Sequence, residues 1–408
     1  MPLITHIHNS ATLAAIMFIT FYAVMLFFSR LLQFNRSVLT NTTPPGGRYG
    51  ALDGLRGVLA YGVMSHHAVT SYIYFTTGVW EWSNNATLNQ LGQSTVALFF
   101  MITGFLFTEK CTAPSVNWRN LYVSRFSRLV PLYAMVILVL FTVVMALSDF
   151  ELNVPPLEFV KELAQWLAFV AFGRSDINGM EMSWTLIAGV NWSLRYEWAF
   201  YVIGLPLLFV LSRFLSRNAL LVASLALLTA AFVTAQLRGG LHGSLLYVVH
   251  FLCGITSAFV YENALGRRII SSRAFHGLAA LSLVVLGIVP DSGKASVLVV
   301  SMLFFLATIG GLSCFGLLAT RSAVWLGDIS YGIYLTHGMV LWMTYYVCKR
   351  TGVLADLNSP AFIGALTAMG LLVMMVATRS YLYLEKPMVN WGRKLARSSA
   401  RLTTASLS

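Results

Sequence analysis

The apolar positions of this 408-residue chain fall into long blocks separated by short polar runs. Eleven blocks are long enough for membrane-crossing helices of ~20 residues. They lie at roughly 9–29, 53–73, 93–109, 129–148, 192–212, 219–236, 244–262, 275–290, 295–318, 327–348 and 361–384. The pattern predicts an all-α, polytopic transmembrane helical bundle of about eleven spans, ten in the main body and one N-terminal to it. The run Thr42–Gly47, T-T-P-P-G-G, is a turn-rich linker. Residues 1–49 are therefore expected to form an extra N-terminal transmembrane helix and linker, 50–390 the membrane domain and 391–408 a short basic tail, frayed from Ala396 onward. In the longest interval, Ser148–Asn191, Val160, Leu163, Leu167 and Val170 recur at helical spacing beside Trp166. This predicts a short amphipathic helix, either in the membrane interface or packed on the bundle.

Composition agrees with a membrane solvent. The chain is 57% hydrophobic and 10% charged, with a mean hydropathy of +0.73, whereas a soluble domain is about 25% charged. The net charge of +12 does not point to nucleic acid, because the basic residues lie between apolar blocks. Eighteen of the 27 Lys and Arg residues fall on one side of the predicted membrane, six on the other and three in spans. That bias places the N-terminus outside and the C-terminus in the cytoplasm. The scattered Cys111, Cys253, Cys314 and Cys348 suggest neither a disulfide framework nor a zinc site, and no metal is expected. No cleavable signal peptide is expected either, because no small-residue cleavage pattern follows the run from Ala11 to Phe28.

Polar residues inside such blocks are costly and functional by default. Arg56 and His67 lie eleven residues apart in one block. At ~100° per residue they share a helix face, separated by roughly 16 Å along the axis. His66 points ~80° away and is expected to be structural. Asp53, one turn before Arg56, is either its ion-pair partner or a helix N-cap. Glu197 is expected near the outer end of its span, where it would bond a sugar hydroxyl or pair with His67 or another cation. Arg195, two residues away, points elsewhere. Ser330 and His337 share a face but are about 10 Å apart, too far for direct proton transfer. His250 has no motif around it and is expected to be structural.

Five blocks in order resemble the acyltransferase-3 family of integral membrane acyltransferases. They are L-D-G-L-R-G at Leu52–Gly57 with His67 following; V-A-L-F-F-M-I-T-G-F-L at Val96–Leu106; R-F-S-R-L-V-P-L-Y at Arg125–Tyr133; N-W-S-L-R-Y-E-W-A-F-Y at Asn191–Tyr201; and L-G-D-I-S-Y-G-I-Y-L-T-H at Leu326–His337, with E-K-P at Glu385–Pro387 beyond it. Ala97 departs from the acidic residue common in the second block, and the span before residue 50 departs from a typical ten.

The resemblance implies transfer of an acyl group, commonly acetyl, from cytoplasmic acyl-CoA to a hydroxyl of a cell-envelope glycan or lipid-linked sugar, in the bacterial inner membrane. It implies that His67 is the base that activates the acceptor, with Arg56 beside it and His337 in an open role. It also implies that Arg125, Arg128 and the neighbouring Arg119 bind the phosphates of coenzyme A, although charge alone would make them membrane anchors. The competing readings are a glycolipid transporter that does no chemistry, a non-catalytic sensor of acyl-CoA and acylation of a small hydrophobic metabolite.

Overall fold

A chain segment crossing lipid has to satisfy its own backbone, and a helix does so within the segment. The computed structural model describes residues 50–83, 86–171, 173–237, 243–288, 293–356 and 359–405. The expected first span and its linker lie outside them. Among the described residues there is no β-strand, only an isolated bridge between Ile177 and Met180.

Helices occupy the other ten expected positions. They are α1 (Gly50–Thr77), α2 (Ala86–Cys111), α3 (Trp118–Leu147), α5 (Trp192–Phe214), α6 (Arg217–Leu237), α7 (Ser244–Glu262), α9 (Arg273–Ile288), α10 (Gly293–Ile309), α12 (Ser330–Arg350) and α13 (Ser359–Ser380). Between or after them lie α4 (Pro156–Leu167), α8 (Ala264–Ile270), α11 (Arg321–Asp328) and α14 (Lys386–Ala405). Six helices among the described residues are long and apolar enough to cross a membrane: α2, α3, α5, α6, α7 and the continuous stretch Ala361–Ala396. The helices α9 and α10 are apolar but shorter, whereas α1 and α12 are long but rich in polar residues. Length and composition thus support about six spans among the described residues, and do not by themselves establish eleven.

Three boundaries differ from the hydropathy pattern, each for a local reason. The helix α3 starts eleven residues before the expected 129, capped by Asn117, whose Oδ1 accepts the Asn120 N–H at 2.9 Å. Arg125 and Arg128 thus lie within the helix and not at its entrance. The helix α10 stops at Ile309, after which Gly311, Cys314, Phe315 and Gly316 all take positive φ. The expected tail is instead helical to Ala405, continuous with α13 through a π turn at Tyr381–Glu385. It packs on α3, where Gly392 stands close to Ser127.

The glycines of two sequence blocks set the central contact. Gly54 faces the Leu318 backbone, and Gly327 faces the Asp53 carbonyl. A side chain at either position would overlap backbone, so α1 and α11 approach more closely than larger residues permit. The same device holds α2 to α7, with Gly104 against the Phe251 carbonyl and Gly254 against that of Met101.

The interval Ser148–Asn191 contains the expected amphipathic helix, α4. It buries Glu162 and Trp166 and leaves Leu157, Val160 and Leu167 exposed. It ends at Leu167, before Val170, whose φ is +48°. Side chains then pin the loop. The Glu162 carboxylate accepts the Asn178 N–H, and Trp166 Nε1 donates to the Ser175 carbonyl.

Loops expected on one membrane side do meet. Arg217 bonds Thr112 and pairs with Glu262 at 2.8 Å, and Arg213 donates to the Ala113 carbonyl. Gly327→Val is expected to force α11 off α1 and cost about 1–3 kcal/mol. A lowered midpoint in detergent thermal unfolding checks this, and Gly277→Val, where nothing lies within 4 Å of the added Cβ, should leave the midpoint nearly unchanged.

Candidate active site

The long helix α1 buries most of its surface against α2, α11 and α12. Its functional face therefore looks into the protein. His67 meets His337 of α12 there, with Nδ1 of His67 2.9 Å from Nε2 of His337 and the two rings nearly parallel. His337 Nδ1 lies 2.9 Å from the Ile333 carbonyl of its own helix. A carbonyl only accepts, so His337 carries its proton on Nδ1 and offers the Nε2 lone pair. His67 must then donate through Nδ1, which leaves the lone pair of its Nε2 free. The Nε2 atom has no hydrogen-bond partner among the described residues. If His67 takes up a proton, the bond to His337 survives unchanged. That is the behaviour of an oriented general base.

His67 lines a cavity of about 1530 Å³, part of it open to solvent. We call it the histidine cavity. His66 and His250 also line it, as do Trp192, Tyr247, Arg174 and Arg195. His66 Nδ1 donates to the Leu88 carbonyl at 3.2 Å, which accords with a structural role, although its ring also reaches the cavity wall.

Arg56 lines a different cavity, of about 870 Å³, together with Arg125, Arg128, Glu197, Tyr201 and Ser330. This is the arginine cavity. Its cations are partly paired. Asp53 approaches Arg56 at 3.9 Å. Glu385 lies 3.5 Å from Arg128, whose guanidinium also donates to the Asp328 carbonyl. Arg125 lies over the Phe107 ring, 5.0 Å from its centroid, with no carboxylate within ion-pair distance among the described residues. Arg119 is exposed and does not line the cavity.

Arg56 and His67 line two cavities on the same side of α1. Their cavities adjoin, and Val96 and Tyr334 line both. Tyr334 is held there by donating to the Val190 carbonyl at 2.9 Å, with Ser193 Oγ 2.7 Å away. Of the partners expected for Glu197, the structure brings cations other than His67 near it. Glu197 accepts a hydrogen bond from Tyr201 and lines the arginine cavity, while Arg195 lines the histidine cavity. The ~200° between positions i and i+2 of a helix accounts for that divergence.

Ser330 opens α12 in the arginine cavity and donates to the Gly327 carbonyl, well apart from His337 as the two-turn spacing requires. Tyr334 and Glu385 carry much of the site and were not singled out. Tyr334 shares the helical face of Ser330 and His337, a usable signal. Glu385 stands in the quoted E-K-P run, but its partner is far away in sequence. Among the described residues no group of three or more His, Cys, Asp or Glu side chains could hold a metal ion.

Residues 49–379 match the family described as acyltransferase domain. The chain is 26% identical over 325 residues to "Exopolysaccharide production protein ExoZ" of Rhizobium meliloti (strain 1021), covering 78% of this chain and 94% of that one. It is 24% identical over 380 residues to "Putative peptidoglycan O-acetyltransferase YrhL" of Bacillus subtilis (strain 168), covering 84% of this chain and about half, 55%, of that longer one. No solved structure matches.

The Arg128–Glu385 pair is mostly shielded, with side-chain exposures of 17% and 0%. Removing one partner of such a pair strands a charge, at about 3–5 kcal/mol. Glu385→Leu is therefore expected to destabilise the protein strongly, and adding Arg128→Leu should recover much of the loss. Unfolding midpoints of the four proteins in a double-mutant cycle measure the coupling.

Proposed function

From the chain's membership of the acyltransferase family, whose domain covers residues 49–379, we propose that it is a membrane O-acyltransferase, moving an acetyl group from acetyl-CoA to a hydroxyl of a cell-envelope glycan or lipid-linked sugar. The observation that carries the reading is the free Nε2 of His67, oriented by His337 at the wall of a cavity large enough for a saccharide.

The arginine cavity faces the cytoplasm, in keeping with the basic residues gathered at the loops around Thr112, Arg217 and Glu262. Arg125, with no carboxylate at ion-pair distance among the described residues, holds donor phosphate, with Arg128 beside it. The thioester end reaches His67 past Val96 and Tyr334. His67 Nε2 takes the proton of the acceptor hydroxyl as its oxygen attacks the thioester carbonyl. The carbon–sulfur bond breaks, the ester forms and the imidazolium returns its proton to the departing thiolate. The relatives' names include exopolysaccharide production and peptidoglycan O-acetylation, which supports a glycan acceptor here. Transport without chemistry would leave the oriented base without a task.

His67→Ala is expected to lower acetyl transfer by about 10²–10⁴-fold with the protein still folded, while His66→Ala is much milder. His337→Gln, which keeps an acceptor for His67 Nδ1, should retain more activity than His337→Leu. Labelled acetyl transfer by purified variants checks these, and equal loss in His67→Ala and His66→Ala would overturn the assignment. Arg125→Gln is expected to raise the KM for acetyl-CoA about tenfold, whereas Arg119→Gln leaves it unchanged. Initial rates against donor concentration decide.

A further inference from the structure

The two cavities differ in charge balance. The arginine cavity sets Glu197 among its three guanidinium groups, and Asp53 and Glu385 pair with two of them. The histidine cavity is lined by Arg174, Arg195 and three imidazoles, with no carboxylate among its lining residues. The interval Ser148–Asn191 is rich in acids, and Asp176, two residues from Arg174, favours its charged form from outside the cavity lining. Glu81, beside the lining residue Trp82, is exposed and does not line the cavity. Neither Arg174 nor Arg195 has a carboxylate within 4.0 Å among the described residues.

Both guanidinium groups are held in place by neutral partners. Arg174 lies over Trp184, 4.3 Å from the ring centroid. Arg195 lies over Tyr196 at 4.8 Å and donates to its hydroxyl, which is tied in turn to Ser244 Oγ at 3.0 Å. Aromatic stacking fixes a guanidinium without neutralising it, so its outer N–H groups stay available to a ligand. Two like charges facing one cleft repel each other and are expensive to place together. A cleft lined by one sign of charge with apolar walls concentrates that field on whatever enters.

We propose that the histidine cavity selects acceptors bearing an anionic group, a carboxylate or phosphate on the glycan, with Arg174 and Arg195 as its specificity determinants. The anion docks between the two guanidinium groups and presents a sugar hydroxyl to His67. This rests on the reading of the cavity as the acceptor site and adds the acceptor's charge class. Neutral glycans gain nothing from the two arginines and cations are repelled, so discrimination comes from both attraction and exclusion.

The test uses the full chain in nanodiscs with labelled acetyl-CoA and three acceptors: a neutral glucan tetrasaccharide, the same tetrasaccharide with one glucose replaced by glucuronate, and the neutral tetrasaccharide on a polyprenyl diphosphate. At least one anionic acceptor is expected to exceed the neutral one roughly tenfold in kcat/KM, and the arm that wins identifies carboxylate or phosphate. Arg174→Gln and Arg195→Gln should each shrink that ratio several-fold, with the Lys variants partly restoring it. Equal use of neutral and anionic acceptors, or equal losses on both in the Gln variants, overturns the inference and leaves the acyltransferase reading standing.

Binding of the glucuronate and diphosphate acceptors to His67→Ala protein is measured in parallel, because it needs no turnover. Binding that depends on Arg174 and Arg195 without any transfer by the unmodified protein would overturn the acyltransferase reading and keep the anion site. Absence of both overturns the two together.

Discussion

A charged or hydrogen-bonding side chain that leaves water for the interior of a bilayer must find its partner inside the protein, because lipid supplies none. Much of the architecture follows from that constraint. Arg128 takes Glu385 and a carbonyl of α11, and Arg56 takes Asp53. His67 takes His337, which takes its own helix backbone. The bonds of Arg128 and of His67 join different helices that the membrane alone would leave free to slide, so these two residues act as register pins for apolar helices. The helix α1 is held from two directions, since its glycines seat it against α11 and the turn before it and His67 ties it to α12.

The same constraint bears on the partner of His67, because His337 orients that ring without the charge a carboxylate would bring. An anion beside His67 would attract a proton to the pair and hold it there. A neutral imidazole with its own proton committed to Ile333 offers only a lone pair, so it orients His67 without charging the site. Tyr334, one turn before His337 on α12, completes this arrangement from the other side. Its hydroxyl is spent on Val190 and Ser193, and its ring lines both cavities.

The legible parts of the site are the local ones. The shared face of Arg56 and His67, the pairing of Asp53 with Arg56, the opposite headings of Arg195 and Glu197 and the gap between Ser330 and His337 all follow from helical geometry over a few turns. The amphipathic helix of the long loop was legible for the same reason. What failed was whatever depended on a second helix. The contact of His67 with His337 spans 270 residues, and nothing in either block announces the other. Glu197 kept several partners open in the sequence because hydropathy locates a span but not the depth at which a side chain turns inward. Arg119 was grouped with Arg125 and Arg128 by proximity in sequence, yet six residues at ~100° each turn it ~120° away from Arg125 around α3.

The π turns at Phe200–Gly204 and Tyr381–Glu385 carry a consequence for how this chain tolerates length changes. A π turn is an α-helix holding one surplus residue, so the helix on either side runs out of phase by ~100°. One such turn begins three residues after Glu197 and the other ends on Glu385, two of the acids that reach the cationic cluster. Deleting a single residue from either turn would give a more regular helix and a worse protein: the flanks would rewind against each other, and the carboxylates could no longer face the arginines while the outer turns kept their packing. Spacing in these two helices is thus counted in single residues, and regularity is the property the fold has had to give up.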